Sequence, residues 1–212
     1  MARKIIFWIC TFAVIILLLI GLAKWGQKSS TTSTNTDVSI IKDTDWYKGD
    51  KASAVVLVEY SDFQCPACRN FEPTIKEVLA EYGDRMVLVY RHFPIYASHK
   101  NAKLAGQAAE AAGKQGKFWE YHDLVFEKQD EWKSLKDPAS IFIEYAKSLS
   151  LDVTLFESDM NSDEAKHSVE DDANEGTRYG VNSTPTFYLN GVKLQLDSYD
   201  QLKNAIKTAV GA

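Results

Sequence analysis

Two cysteines separated by two residues, in Cys65-Pro66-Ala67-Cys68, are the side chains of this sequence best placed to do chemistry. Thiol–disulfide exchange needs one accessible thiolate and a second thiol able to resolve the mixed disulfide. This spacing supplies both when it opens a helix. Cys65 then stands at or near the N-cap, where unpaired backbone N–H groups and the helix dipole favour negative charge. Cys68, almost one turn later, reaches back to it while staying more buried. Pro66 suits the first helical position, because its missing N–H has no helical partner to lose. Such surroundings lower a thiol pKa from about 8.5 to roughly 3.5–7.5. The same spacing is half of a zinc site. Two more ligands would have to come from His92, His99, His122 or His167, none in paired spacing, so redox chemistry is preferred and no metal is expected. A purely structural disulfide is weaker still, since so short a loop constrains the unfolded chain little.

The elements that must hold this pair can be read on either side of it. Ala54 to Tyr60 is a β-branched run with the character of a buried strand. After the cysteines, Phe71, Ile75, Val78, Leu79 and Tyr82 fall on one helical face, with Gly83 at its end. Met86 to Tyr90 is a second strand, so strand, helix and strand form a βαβ unit with parallel pairing. From about 96 to 160 the pattern is helical, with predicted helices over 101–112, 117–128 and 138–149 and no strand candidate. An acidic helix over 163–179 follows. Thr186–Leu189 and Val192–Leu196 then flank Asn190-Gly191, the strongest short hairpin signal because a type I′ turn needs positive φ twice. Ser198 and Gln201 have the spacing of a capping box for a last helix.

The N-terminal part is of another kind. Ile5 to Ala23 are 19 consecutive uncharged, mostly apolar residues, long enough to cross a bilayer core of roughly 30 Å. We therefore expect one transmembrane helix in an anchor over 1–26, a flexible Ser/Thr-rich linker over 27–45 and a folded body over 46–212. A cleaved signal peptide is the alternative, with Gly21-Leu22-Ala23 as its cleavage site and a secreted body as its consequence. Arg3, Lys4 and the terminal amine precede the span, which leans towards a cytoplasmic N-terminus and an exported body. Four basic residues and no acidic one precede residue 29, so the remainder carries 20 basic against 29 acidic residues, a net −9. That balance excludes nucleic acid as an expected partner. Cys10 lies inside the apolar span, and an export signal beside a lone Cys-x-x-Cys points to redox work in an oxidising compartment.

Val58-Glu59-Tyr60-Ser61-Asp62-Phe63-Gln64-Cys65-Pro66-Ala67-Cys68 resembles the active-site strand and helix of the DsbA-like thioredoxin-fold oxidoreductases, closest to the membrane-anchored or exported bacterial ones. Arg91-His92-Phe93-Pro94, Gln115 to Trp119 and Gly180 to Phe187 resemble further segments in the same order. The resemblance implies an α/β thioredoxin-like fold interrupted by a helical domain. It also implies that Pro185 follows a cis peptide bond facing the disulfide, and that Thr184 and Pro185 bind substrate backbone. Glu59 matches a buried acid that assists proton transfer at Cys68, its alternative being a solvated charge at the strand end. Many strongly oxidising relatives have a histidine where this chain has Ala67, so a milder oxidant is expected. His99 and Trp119 are read as packing residues.

The function expected from all this is disulfide donation to exported, cysteine-containing polypeptides, without an organic cofactor. Reoxidation by a membrane quinone-linked thiol oxidase is implied by the resemblance alone. Reduction or isomerisation by the same residues, or a non-catalytic module holding peptides or a metal, are the alternatives.

Overall fold

The computed structural model describes residues 37–212. The anchor over 1–26, with its transmembrane helix, and the linker as far as residue 36 lie outside the described residues. Among the described residues no helix is long and apolar enough to cross a membrane.

Five strands form one mixed sheet: β1 (Trp46–Gly49), β2 (Val56–Ser61), β3 (Val87–His92), β4 (Thr186–Leu189) and β5 (Val192–Lys193), in the order β1-β3-β2-β4-β5. β2 and β3 are parallel, as the βαβ pattern requires, and the other neighbours are antiparallel. Alternation along β2 divides its side chains between two cores. Leu57 packs with Ile75, Val78, Leu88, Phe187, Leu202 and Ile206 on the face covered by α1 (Pro66–Tyr82) and α8 (Tyr199–Ala209). Val58 and Tyr60 pack with Val89, Phe93, Ala173 and Tyr188 on the face of α7 (Asp163–Arg178). Glu59 is in phase with Leu57 and therefore points under α1.

Between β3 and α7 all the regular structure is helical: α2 (Ala102–Lys114), α3 (Phe118–Glu127), α4 (Gln129–Trp132), α5 (Ala139–Ser148) and α6 (Val153–Met160). A glycine lets α2 approach β1 closely. A Cβ on Gly113 would lie 2.3 Å from the Trp46 ring, which stacks on Phe118 at 4.4 Å between centroids. The architecture is the thioredoxin-like α/β fold with a helical insertion, as expected, and Asn190 (φ 48°) and Gly191 (φ 80°) make the hairpin turn.

Several local expectations are corrected. Residues 37–45, assigned to the linker, are tied to the sheet. The buried Arg91 guanidinium donates to both Asp45 carboxylate oxygens, at 3.0 and 2.8 Å, and to the carbonyls of Val38 and Ile40. β1, α4 and α6 had no clear signal. The second hairpin strand stops at Lys193 rather than Leu196. Ser198 makes no side-chain cap, while Gln201 accepts from the Asp197 N–H at 2.7 Å, so the capping box is half formed and displaced by one residue.

Candidate active site

The turn before α1 is built by Asp62. Its carboxylate accepts from the Gln64 N–H at 2.7 Å and the Ile95 N–H at 2.8 Å, and pairs with His99 Nδ1 at 2.7 Å. The Cys65 N–H then closes on the Asp62 carbonyl at 3.0 Å. From α4 the Gln129 carboxamide donates to the carbonyls of Phe63 and Cys65, at 2.7 and 3.0 Å. Cys65 adopts an extended N-cap conformation, and Pro66 enters the first helical turn, as the spacing predicts. Pro66 and Ala67 are exposed.

Both cysteines are free thiols, and their surroundings differ sharply. Cys65 is 6% exposed and Cys68 fully buried, so only the first sulfur has an opening, and a narrow one. The Cys65 pKa is lowered to about 6. The Cys68 thiol donating to its sulfur is the largest cause, helped by the neighbouring Thr184 and the N–H groups of Cys68 and Ala67, against the cost of partial burial. Cys68 is pushed well above the usual thiol range, first by burial, then by donating to Cys65 and by the nearby charges of Cys65 and Glu59. Cys65 Sγ lies 3.3 Å from the Thr184 carbonyl, and the Thr184–Pro185 peptide bond is cis. Pro185 lines an adjoining groove of about 440 Å³ with Phe71, Ser183, Phe187, Leu194 and Leu196.

Glu59 is not a solvated strand-end charge. It is 1% exposed, its Oε1 has no hydrogen-bond partner, and burial pushes its pKa up to about 7, with Ser61 opposing and Cys65 reinforcing the rise. The predicted site residues Glu59, Cys65, Pro66, Ala67, Cys68, Thr184 and Pro185 therefore converge on one helix end.

Other residues of this region carried no clear signal. Glu72 and His122 are buried beside Glu59, and Glu72 Oε1 and His122 Nε2, 3.8 Å apart, are likewise without hydrogen-bond partners. Glu72, His122 and Asp123 offer ligand atoms within 4.8 Å of one another, the arrangement of a metal cluster among the described residues. The Lys76 ammonium, 3.0 Å from Asp123, already supplies positive charge there. The apolar stripe of α3 hides His122 in sequence, although Glu72, four residues after Cys68, could have been placed on the helix turn facing Glu59.

Comparison with known proteins agrees with this geometry. Residues 42–208 match the family described as Thioredoxin. The chain is 38% identical over 155 residues to a protein of Mycolicibacterium vanbaalenii named Na(+)/H(+) antiporter NhaA 1, covering 71% of this chain and 24% of that one. A Salinispora tropica protein named Na(+)/H(+) antiporter NhaA 3 is 37% identical over 154 residues, covering 73% and 23%. The chain thus spans about a quarter of the length of these curated relatives, and the antiporter name describes those longer proteins. Among solved structures, oxidised BdbD from Bacillus subtilis superposes with TM-score 0.71 at 22% identity, covering 80% of this chain and 94% of that one. A Wolbachia pipientis α-DsbA1 variant gives TM-score 0.72 at 21% identity, covering 81% and 93%. MdbA, a thiol-disulfide oxidoreductase from Corynebacterium diphtheriae, gives 0.66 at 18%, covering 79% and 92%. At these identities the likeness is one of fold.

Proposed function

This chain belongs to the Thioredoxin family, and from that premise we propose that it is a thiol–disulfide oxidoreductase that introduces disulfides into exported, cysteine-containing polypeptides. The observation that carries the reading is the placement of two free thiols in the first turn of one helix, Cys65 at the N-cap against the cis Thr184–Pro185 bond and Cys68 fully buried behind it, which displaces their acidities in opposite directions. An exchange enzyme needs a sulfur that leaves as a stable thiolate and another that stays protonated until called upon.

In the oxidised enzyme a substrate thiolate attacks Cys65 Sγ. The new S–S bond forms as the Cys65–Cys68 bond breaks, and the electron pair leaves on Cys68. That buried sulfur takes a proton, which Glu59 supplies. A second substrate thiolate attacks the substrate sulfur of the mixed disulfide, and Cys65 leaves as a thiolate. The substrate is oxidised by two electrons and the Cys65–Cys68 pair reduced by two. Thr184 and Pro185, beside Cys65 and along the groove, hold the extended substrate. Reoxidation falls to a membrane quinone-linked thiol oxidase, with the catalytic body outside the cytoplasm and held by the apolar segment 5–23, or secreted if that segment is removed.

The test is oxidation of reduced ribonuclease by the wild type, Cys65→Ser and Cys68→Ala, with the Cys65–Cys68 pair equilibrated against glutathione. The reading expects oxidation by the wild type alone and an equilibrium on the oxidising side of the glutathione couple. Oxidation by both variants would end it. A strongly reducing equilibrium would turn the assignment to reduction or isomerisation.

A further inference from the structure

Beside Glu59, between α1, α3 and the sheet, is a small void of about 10 Å³ that the exchange chemistry above does not use. Glu59, Glu72, His122, Trp119, Lys76 and Asp123 are among its lining residues. Three of these, all more than nine-tenths buried, have an unpartnered polar atom: Glu59 Oε1, Glu72 Oε1 and His122 Nε2. A void of roughly 10–15 Å³ bounded by two to four polar groups suits one water molecule. His122 Nδ1 lies 3.0 Å from Asp123 Oδ1, whose residue is about one-third exposed and pairs with the half-exposed Lys76 at 3.0 Å. Titratable groups thus run from a solvated carboxylate to the buried Glu59.

We propose that His122 and Glu72, with one water between them, carry protons between solvent at Asp123 and Glu59. The proposal rests on the disulfide-exchange reading, because Glu59 must regain a proton each time it protonates Cys68, and the sheet and α1 enclose it. His122 takes a proton on the Asp123 side and releases one from Nε2 towards the void. The water passes it on to Glu59 directly or by way of Glu72, and each hop breaks one O–H or N–H bond as the next forms. Neither His122 nor Glu72 touches sulfur, so both act through Glu59. Burial pushes Glu72 up to about 7, level with Glu59, so a proton passes between them with little cost. The other groups facing the pair are Ser61 from β2, Tyr90 from β3, Lys76 from α1 and Lys48 from β1. Tyr90 is protonated at neutral pH because burial pushes its pKa well up, and the two lysines stand at the mouth.

The experiment follows resolution of a preformed mixed disulfide on Cys65, a step in which Cys68 must lose its proton to Glu59. Wild type, His122→Gln and Glu72→Gln are compared by stopped flow from acid to mildly alkaline pH, in light and heavy water, with and without imidazole. Each variant is expected to slow the step about tenfold near neutral pH, enlarge its solvent isotope effect and recover with imidazole, while the thiolate absorbance titration of Cys65 stays at its wild-type midpoint. Wild-type rates and pH profiles in both variants would overturn the proposal, as would a slowing equal at every pH that imidazole does not relieve. Should His122→Gln fail to fold, Glu72→Gln on the other side of the void carries the same test. Stoichiometric zinc in the purified wild type, lost in His122→Gln, would reassign the cluster to metal binding. A wild type that resolves no mixed disulfide sinks the exchange reading itself, an outcome separate from variants that merely match an active wild type.

Discussion

The two sides of the Cys65–Cys68 pair have the same side chain and opposite surroundings. On the outer side, Cys65 meets a helix N-terminus, the Thr184 carbonyl and a sliver of solvent, and its thiol is acidified to about 6. On the inner side, Cys68 meets a closed core, a carboxyl group and no exposed surface, and its thiol is held protonated. Less than one helical turn separates them. The difference teaches that the redox pair is divided by burial and hydrogen bonding rather than by its own sequence, since Pro66 and Ala67 bear no ionisable group. Polar work is needed on both sides: thiol and backbone donors stabilise an anion outside, and carboxyl groups trade a proton inside.

The comparison is broken most severely by removing either sulfur. Cys65→Ser should lose exchange to background, whereas Cys68→Ala, offered a disulfide-bonded peptide, should stall as a stoichiometric mixed disulfide on Cys65 with release of the peptide's other sulfur as a thiol, resolved on a non-reducing gel. Equal adducts in both variants would erase the division of labour. Next in size, Glu59→Gln should slow the step that moves the Cys68 proton by about 100-fold, within the usual range for general acid–base groups, and leave the Cys65 titration close to 6. Stopped-flow resolution rates and thiolate absorbance measure the two separately. Third, Ala67→His should add a donor on the outer side alone, lowering the Cys65 pKa by about one unit and favouring the reduced form on the order of tenfold against glutathione. The wild-type value of about 6 lies well above the lower end of the range known for such thiols.

The smallest effect is on stability. Burial raises Glu59 from 4.5 to about 7, so the folded state holds a proton that the unfolded chain releases. The stability linked to that proton is present below pH 4.5 and lost as pH rises through 7. Glu59→Gln should therefore raise the melting temperature by a few degrees above pH 7 and change it little in acid. Cys65 acts in the opposite sense in the reduced protein, its lowered pKa adding stability that appears as pH rises through 6 towards 9. A thermal scan across pH, reduced against oxidised, separates the two contributions.

Sequence reading served the outer side better than the inner one. Cys-x-x-Cys at a strand–helix junction is a local pattern, and the N-cap and the entering proline stand where spacing put them, while the acid six residues upstream is buried as the family resemblance implied. The hairpin was legible because Asn190-Gly191 needs no distant partner. His122 is 57 residues from Cys65 in the chain, within an apolar stripe where Phe118, Tyr121, Val125 and Phe126 dominate, and only tertiary packing brings it to Glu59. β1 is a four-residue strand ending in glycine, held by pairing with β3 rather than by its own composition. The ordering of 37–45 rests on Arg91 of the neighbouring β3, 46 residues after Asp45 in the chain, so a stretch that reads as tether is held by a buried guanidinium.

The grip of Gln129 on the carbonyls of Phe63 and Cys65 ties posture to reactivity. Gln64 and Asn101 extend the same lattice, both meeting the Lys133 carbonyl and joining one another at 2.8 Å. The helical insertion is in this way a clamp on the peptide plane that aims the outer sulfur. Any partner that tilts the clamp would also turn the sulfur, and docking and chemical readiness would be felt as a single motion.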